Sequence, residues 1–251
     1  MSKITDIAGK VVVVTGAAGG IGGAICTRFA SLGAHVVIGY HHSQDNALAL
    51  KLTLENGPHI AAKAPVTNRV GMEELAIQVK QQFGRTDILV NAAGITRFVE
   101  HSDLDALDDD LIDEIFQVNV RGVIASARAF RPQLAASGAG VIINISSIAA
   151  VTAMGSNIAY CASKAAVDNL TKSLARALSP EIRVISVSPG LVDTEFVRGL
   201  DQNWRNQQAG RTLQKRLATP EEVADSVIAA TALLSFTTGA VIPVDGGRQL
   251  S

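Results

Sequence analysis

The stretch "VVVVTGAAGGIGGAI", residues 11–25, joins a short apolar run to a glycine-rich turn and then to a small-residue helix. Four consecutive valines are typical of a strand that is buried on both faces. Gly16, Gly20 and Gly22 follow the run with the spacing G-x-x-x-G-x-G. Glycines at such a junction let the backbone turn tightly and approach a pyrophosphate, whose charge the free N–H groups of a helix N-terminus can bind. The stretch therefore predicts an α/β sheet with a nucleotide site beyond its first strand.

The same alternation of apolar runs and helix-length segments continues to the end of the chain. Further apolar runs occupy residues 35–40, 59–64, 87–93, 141–146, 183–188 and 240–244. Seven continuous apolar strands separated by helical segments predict a doubly wound, Rossmann-type parallel sheet with helices on both faces. Because no repeat or linker interrupts the pattern, we expect residues 1–251 to form a single domain.

Composition and charge exclude several classes of function. The 251 residues are 47% hydrophobic and carry a formal net charge of -1, and no run of Lys or Arg exceeds two residues. This distribution provides no electrostatic footprint for nucleic acid or an anionic membrane. The valine run at 11–14 is too short for a signal-peptide core, so we expect a cytoplasmic protein. Cys26 and Cys161 lack metal-ligand spacing, which fits a reducing compartment and predicts no metal site.

Six motifs, in order and spacing, resemble those of the short-chain dehydrogenase/reductase family. They are "TGAAGGIG" at 15–22, "NAAG" at 91–94, Asn119 in "FQVNV", Ser147 in "INISS", "YCASK" at 160–164 and "SPG" at 188–190. The similarity spans about residues 8 to 247, and the chain looks most like the ketoacyl reductases and the sugar and alcohol dehydrogenases. The resemblance implies an oxidoreductase that uses NADP or NAD to interconvert a carbonyl and a secondary alcohol, usually as a homotetramer.

Tyr160 and Lys164 stand just over one helical turn apart, so their side chains share one face of a helix. The resemblance makes Tyr160 the general acid or base for the substrate oxygen. A free phenol, with a pKa of about 10, is poorly matched to neutral pH, and a nearby cation can lower that pKa by roughly 1 to 3 units. In the family the lysine supplies this cation and also holds the nicotinamide ribose.

Ser147 and Asn119 complete the implied catalytic set. Ser147, 13 residues before Tyr160 (160 - 147), would hydrogen-bond the substrate oxygen where negative charge develops. Asn119 lies within a long predicted helix, where Asn is unfavourable because its amide competes for backbone hydrogen bonds. In the family this Asn kinks the helix and anchors a water that relays protons to the lysine.

The expected cofactor contacts lie at the carboxyl ends of the strands. Besides Tyr160 and Lys164 they are Gly16, Gly19, Gly20, Ile21, Gly22, Tyr40, His41, His42, Val66, Asn91, Ala92, Ala93, Gly94, Pro189, Gly190, Val192 and Thr194.

Three positions depart from the family pattern. Pro65 stands where members usually have an Asp that contacts adenine, so that contact is missing. Tyr40 stands where NAD-dependent members commonly place an Asp for the ribose 2′-hydroxyl, and His41, His42 and Ser43 follow as candidate donors to a 2′-phosphate. The basic residue that NADP-dependent members often carry in the glycine turn is Gly19 here. The absence of a carboxylate at position 40 favours NADP(H), with NAD(H) as the alternative.

Residues 193–219 are polar and lack a core stripe, so we expect them to form a substrate lid. A mainly apolar pocket is expected from residues 148–159 together with Leu191, Phe196 and Trp204, and Arg97 could reach an anionic group on the substrate.

The physiological substrate is not specified by these motifs. The turns at 136–140 and 178–183 lack the basic surface that would dock an acidic carrier protein, so a small ketone, sugar or secondary alcohol is favoured over a 3-oxoacyl substrate. A catalytically silent cofactor sensor or scaffold is the alternative from another class, because fold alone does not establish function.

Overall fold

Within residues 5–250, which the computed structural model describes except for the side chain of Phe196, seven parallel strands form one sheet. The strands are β1 Val11–Thr15, β2 His35–Tyr40, β3 Ile60–Lys63, β4 Ile88–Asn91, β5 Gly140–Ile145, β6 Ile182–Pro189 and β7 Val241–Val244. Their order across the sheet is β3-β2-β1-β4-β5-β6-β7. The order reverses between β1 and β4, and doubly wound sheets bind ligands beyond the carboxyl ends of the strands at such a point.

Helices cover both faces of this sheet. They are α1 Gly20–Ser31, α2 Gln44–Thr53, α3 Arg69–Phe83, α4 Asp109–Phe116, α5 Gly122–Ala136, α6 Ala149–Thr152, α7 Ile158–Leu178, α8 Glu195–Arg198, α9 Gln202–Gly210 and α10 Pro220–Ala232. A π-helical turn, Gln117–Arg121, joins α4 to α5, and a 3-10 turn covers Arg248–Leu250. Of the helices between residues 5 and 250, none combines the length and apolar character needed to cross a bilayer.

The valine run contributes to two separate cores. Val12 and Val14 pack into the cluster beneath α1 and α10, whereas Val11 and Val13 pack into the cluster beneath α3, α5 and α7. Successive strand side chains point to opposite faces, so a strand covered on both sides must be apolar at every position. This requirement explains why the central strands read as continuous apolar runs.

A polar row crosses the same sheet where its central strands end. Thr15, Asn91, Asn144 and Ser186 are register partners on β1, β4, β5 and β6. All four side chains are at least 96% buried. Asn91 donates to Asn144 over 2.9 Å, and Asn144 donates to Thr171 of α7 over 2.9 Å. The row therefore replaces apolar packing with hydrogen bonds just below the expected site.

The predicted strands are confirmed, with ends that move by one or two residues. The largest difference is at 87–93, where β4 stops at Asn91 and the small residues after it form the loop. The long helix predicted around Asn119 is also present, but the π-helical turn interrupts it. Such turns contain an extra residue and concentrate at functional sites.

Residues 193–219 contain two helices, α8 and α9, and are tied at three places. Their ends meet through the bridge between Val192 and Ala218. Asp193 pairs with Arg205 over 2.8 Å. Gln208 is buried beneath Arg248, which donates to its side chain over 2.6 Å and to its carbonyl over 2.9 Å.

The glycine turn gives a stability prediction. A Cβ at Gly22 would lie 2.4 Å from the carbonyl oxygen of Gly16, whereas a Cβ at Gly23 would lie 3.6 Å from the carbonyl oxygen of Ala17. We expect Gly22→Ala to lower the free energy of unfolding by about 2 kcal/mol, because backbone atoms must shift to relieve the overlap. Urea denaturation followed by circular dichroism measures this.

Gly23→Ala is the matched control. This neighbouring position has ordinary van der Waals space, and Ala in a helix is favoured over Gly by up to about 1 kcal/mol. Equal unfolding free energies for the two variants would contradict the steric explanation.

Candidate active site

The glycine turn packs closely against the loop that follows β4. Gly16 has a φ of 67°, and a Cβ there would lie 2.6 Å from the Cα of Ala93. On the other side, a Cβ at Gly20 would lie 3.0 Å from the side chain of Thr194. Ala92, Ala93 and Thr194 thus stand around the start of α1.

The glycine turn is open at Gly19. A Cβ at Gly19 would have one atom within 4 Å, the carbonyl oxygen of Gly16 at 3.6 Å. A ligand can therefore approach the backbone of Gly19. A cavity of about 560 Å³ borders this point and is lined in part by Gly19, Gly20, Thr194 and Arg198. Open backbone at the N-terminus of α1 fits a pyrophosphate, since it presents N–H groups to the anion.

The segment after β6 forms the opposite side of the glycine turn. Pro189 ends β6, and Gly190 lies where a Cβ would come 3.1 Å from the Cα of Asp245. Val192 is buried, and Thr194 caps α8 through its hydroxyl, which accepts from the N–H of Val197. This segment therefore reaches from the end of the sheet to Gly20.

Tyr160 and Lys164 lie on the first two turns of α7. The helix begins after Asn157, whose side chain accepts from the N–H of Tyr160 over 2.7 Å. The Nζ of Lys164 donates to the carbonyl oxygen of Ile145, at the end of β5, over 2.9 Å. It lies 5.6 Å from the centre of the Tyr160 ring, and Ser147 lies close enough to the phenol to lower its pKa. The three predicted side chains therefore converge beyond β5.

Burial dominates the acid–base properties of this pair. It raises the pKa of the Tyr160 phenol above its ordinary value, and the hydrogen bond from Ser147 opposes this rise. Burial also lowers the pKa of Lys164 to about 8, while the charge of Asp168 raises it. The sequence predicted a lowered pKa for Tyr160. The direction is opposite here because the cost of desolvating the phenolate is the largest contribution.

Asn119 joins the loop after β4 to α7. Its Oδ1 accepts from the N–H of Ile95 over 2.8 Å, and its Nδ2 donates to the Ile95 carbonyl and to Ser163, each over 3.1 Å. Ser163 in turn donates to the carbonyl of Tyr160 over 2.7 Å. Three elements are fixed around one buried amide, which explains why an Asn is retained at a costly helical position.

Basic side chains gather where β2 and β3 end. Tyr40 is the register partner of Lys63, and His41 and His42 follow with their ring centres 3.8 Å apart. Burial, His42 and Lys63 all lower the pKa of His41. A site that disfavours further positive charge is suited to an anion, and Lys63 is a contributor that the sequence analysis missed. Its register with Tyr40 is the signal that could have identified it.

Other predicted residues lie outside this group or only at its border. Val66 is buried where a Cβ on Gly122 would touch it at 3.0 Å, so its side chain packs under α5. Arg97 pairs with Asp108 on the surface. Leu191 and Trp204 are partly buried, and the side chain of Phe196 lies outside the described part of the structure.

The polar residues beneath the site were not predicted. Asn144, Thr171, Asp168 and Ser186 are all buried and hydrogen-bonded. The available signal was Asn144 and Ser186, polar residues in the middle of the apolar runs "VIINIS" and "RVISVS". Only the register between strands shows that these positions align.

Comparison with known proteins agrees with this architecture. A family model described as enoyl-(acyl carrier protein) reductase matches residues 16–249. A cis-4-hydroxycyclohexanecarboxylate dehydrogenase of Sinomonas cyclohexanicum is 36% identical over 242 residues, which cover 95% of this chain and 96% of the relative. A 3-oxoacyl-(acyl-carrier-protein) reductase of Thermotoga maritima is 35% identical over 243 residues, which cover 95% and 97%.

A solved structure shows the same fold. A double mutant of a Serratia marcescens short-chain dehydrogenase/reductase superposes with a TM-score of 0.88 at 33% identity, covering 97% of this chain and 99% of that chain. The fold and the grouped site residues define a nicotinamide-dependent oxidoreductase. The chain belongs to the short-chain dehydrogenase/reductase family and interconverts carbonyl and alcohol groups of a small molecule with NAD(P). The silent-scaffold alternative is not favoured.

Proposed function

We propose that Tyr160 transfers the proton of the carbonyl–alcohol interconversion and that Lys164, Ser147 and Asn119 support it. The observation that carries this assignment is the convergence of the Tyr160 phenol, the neighbouring Ser147 and the buried Lys164 ammonium beyond the end of β5. Proton transfer requires a donor within hydrogen-bond reach of the substrate oxygen.

Each residue has a separate part in this proposal. When bound, the nicotinamide supplies or accepts the hydride. Ser147 holds the substrate oxygen with its hydroxyl, and Tyr160 gives that oxygen a proton during reduction or removes one during oxidation. Lys164 stabilises the phenolate that the transfer leaves, which offsets the effect of burial on the Tyr160 pKa. Asn119 fixes the loop after β4 against α7 through Ile95 and Ser163.

Tyr160→Phe tests the assignment. We expect it to lower kcat by at least about 100-fold, the lower range for general acid–base catalysis, while the cofactor still binds within a few-fold. Lys164→Ala should reduce both turnover and cofactor affinity. The measurements are steady-state kinetics by nicotinamide absorbance, with a panel of ketones and alcohols, and cofactor titration.

The double variant provides the control. Residues that act as a unit are strongly non-additive, so the two substitutions together should be scarcely worse than the poorer single one. Losses that multiply would contradict the proposed coupling.

We propose that the preferred cofactor is NADP(H), bound with its 2′-phosphate beside His41, His42 and Lys63. The support is the basic group at the ends of β2 and β3 and the absence of a carboxylate at Tyr40. A carboxylate there would repel the phosphate. Lys63 adds a second basic side chain to this group, and the charge that His41 supplies depends on pH.

The NADPH preference should grow as the pH falls. The pKa of His41 is below its ordinary 6.5 in the free protein, and phosphate contact would raise it. Proton uptake on binding therefore strengthens NADPH affinity as the pH falls from about 8 to about 6.5, and nearer pH 6 protonation of the 2′-phosphate, whose second pKa is about 6, reduces the gain. Fluorescence titration of NADPH and NADH across this range measures the effect.

His41→Ala should remove most of this pH dependence, and Lys63→Ala should reduce the preference at every pH. Equal or tighter binding of NADH throughout the range would overturn the assignment to NADP(H). An unchanged slope in His41→Ala would move the pH-dependent role to His42.

We propose that residues 193–219 close over the substrate as a lid within a single domain. Its two ends meet at Val192 and Ala218, so the segment can move without displacing the sheet. Within it Asp193 pairs with Arg198 and Arg205, and partly exposed ion pairs of this kind contribute little to stability. The stronger restraint is the pair of hydrogen bonds from Arg248 to the buried Gln208, so Arg248 must move with the lid or release it.

Trp204 reports this closure, because it is the only tryptophan in the chain and lies in α9. We expect its emission to shift to the blue when NADP(H) and a ketone or alcohol analogue are added together, since closure excludes water. The cofactor alone should cause a smaller shift. Identical emission and identical backbone hydrogen exchange across 193–219 in all states would show that the segment is not a lid.

For the substrate we propose a small ketone, sugar or secondary alcohol with an apolar part. Val151 and Met154, which follow Ser147 in the chain, are exposed apolar side chains. Arg97 is already paired with Asp108, so it does not support a substrate with an anionic group. We further propose a cytoplasmic homotetramer, for which the fully exposed Phe236 is one surface that a second copy could cover.

A further inference from the structure

Lys164 is an ammonium group in a nearly closed environment. Its side chain belongs to a residue that is 6% exposed, and its Nζ donates to a neutral backbone carbonyl, that of Ile145. Removing an ammonium from water costs several kcal/mol unless nearby charge compensates it. Because the proposed role requires Lys164 to stay charged, the source of that compensation matters.

Asp168 lies one turn further along the same face of α7. Four residues of helix separate the two Cα atoms by about 6 Å along the axis. Asp168 is 8% exposed, and its Oδ1 accepts from the hydroxyl of Ser186 on β6 over 2.9 Å. Ser186 is the register partner of Asn144, which precedes Ile145. Both groups extend from α7, and each is hydrogen-bonded to one of two adjacent strands, the ammonium to β5 and the carboxylate to β6.

The other charged groups on the elements around α7 are exposed or are hydrogen-bonded elsewhere. β5 and α6 contain no ionisable residue, and Arg183 of β6 donates to the carbonyls of Ala230, Thr231, Leu234 and Thr237. The ionisable residues of α4 and the π-helical turn, and the basic residues further along α7, are exposed: Asp109, Asp110, Asp113, Glu114, Arg121, Lys172 and Arg176. Beside Lys164 itself stand Tyr160 and Cys161.

We propose that Asp168 is a positioning residue whose buried negative charge keeps Lys164 protonated for proton transfer at Tyr160. This inference rests on the proposed roles of Tyr160 and Lys164. The hydroxyl of Ser186 donates a hydrogen bond to this carboxylate and holds it under α7. Neither residue touches the substrate in this proposal.

The direction of the effect follows from charge. Burial lowers the pKa of Lys164 to about 8, and Asp168 is the group that raises it. Removing the carboxylate favours every proton loss nearby, whether the first proton leaves from Lys164 or from Tyr160. Reduction needs Lys164 and Tyr160 both protonated. The loss of activity at alkaline pH should therefore begin at a lower pH in a variant without the carboxylate. A nearby charge shifts a buried group by about 1 pKa unit or more.

Asp168→Asn is the main test, because it keeps the shape and removes the charge. We expect the alkaline limit of kcat/KM for reduction to move about 1 pH unit lower, measured by NADPH oxidation with the best ketone of a panel. Asp168→Glu should restore the position of the limit. Ser186→Ala removes the hydrogen bond but keeps the charge, so it should leave the limit within about 0.3 unit.

Asp113→Asn is the matched charge control, because Asp113 is an exposed carboxylate on α4. Solvent screens such a charge, so the limit should stay in place. Thermal unfolding of each variant shows whether it folds, and Asp168→Ser is a second neutral variant if Asp168→Asn does not.

The inference is overturned if a folded, neutral variant at position 168 keeps the wild-type alkaline limit. It is also overturned if Ser186→Ala moves the limit as far as Asp168→Asn does, since this would indicate a structural effect. Failure of the proposed function looks different: Tyr160→Phe would then retain wild-type turnover, whatever the variants at position 168 do.

Discussion

The burial of one ammonium group organises the candidate active site. The role proposed for Lys164 needs its ammonium to lie inside the site beside the phenol, yet an enclosed cation is costly. Three neighbouring groups offset this cost: the carbonyl of Ile145, the carboxylate of Asp168 and the aromatic ring of Tyr160. Each of these groups is placed by a particular strand register or helical spacing. The geometry of the sheet and of α7 therefore determines how the charge of Lys164 is stabilised.

The sequence predicted the fold because the fold depends on patterns that are local. Continuous apolar runs identify strands covered on both faces, and the turn at Gly16 and Gly22 tolerates no side chain. The spacing between Tyr160 and Lys164 is likewise set by a single helix. The motifs carried by resemblance came together around the same strand ends, although their chemical roles are proposals.

Long-range register and burial could not be obtained in the same way. The pairing of Asn91 with Asn144, and of Tyr40 with Lys63, depends on which strands are neighbours. The pKa of Tyr160 was predicted in the wrong direction because a sequence shows which charges are near, but not how much water is excluded. The tie between Gln208 and Arg248 joins segments 40 residues apart and leaves no local pattern.

That tie makes the chain's last turn part of the architecture of the substrate side. Arg248 reaches back to Gln208 in α9 with two hydrogen bonds, and both residues are buried. Exchanging residues 193–219 for a segment without a glutamine at position 208 would remove the partner of Arg248 even if the new segment suited its substrate. A chimera that exchanges α9 between members of this family should therefore exchange residues 245–250 with it.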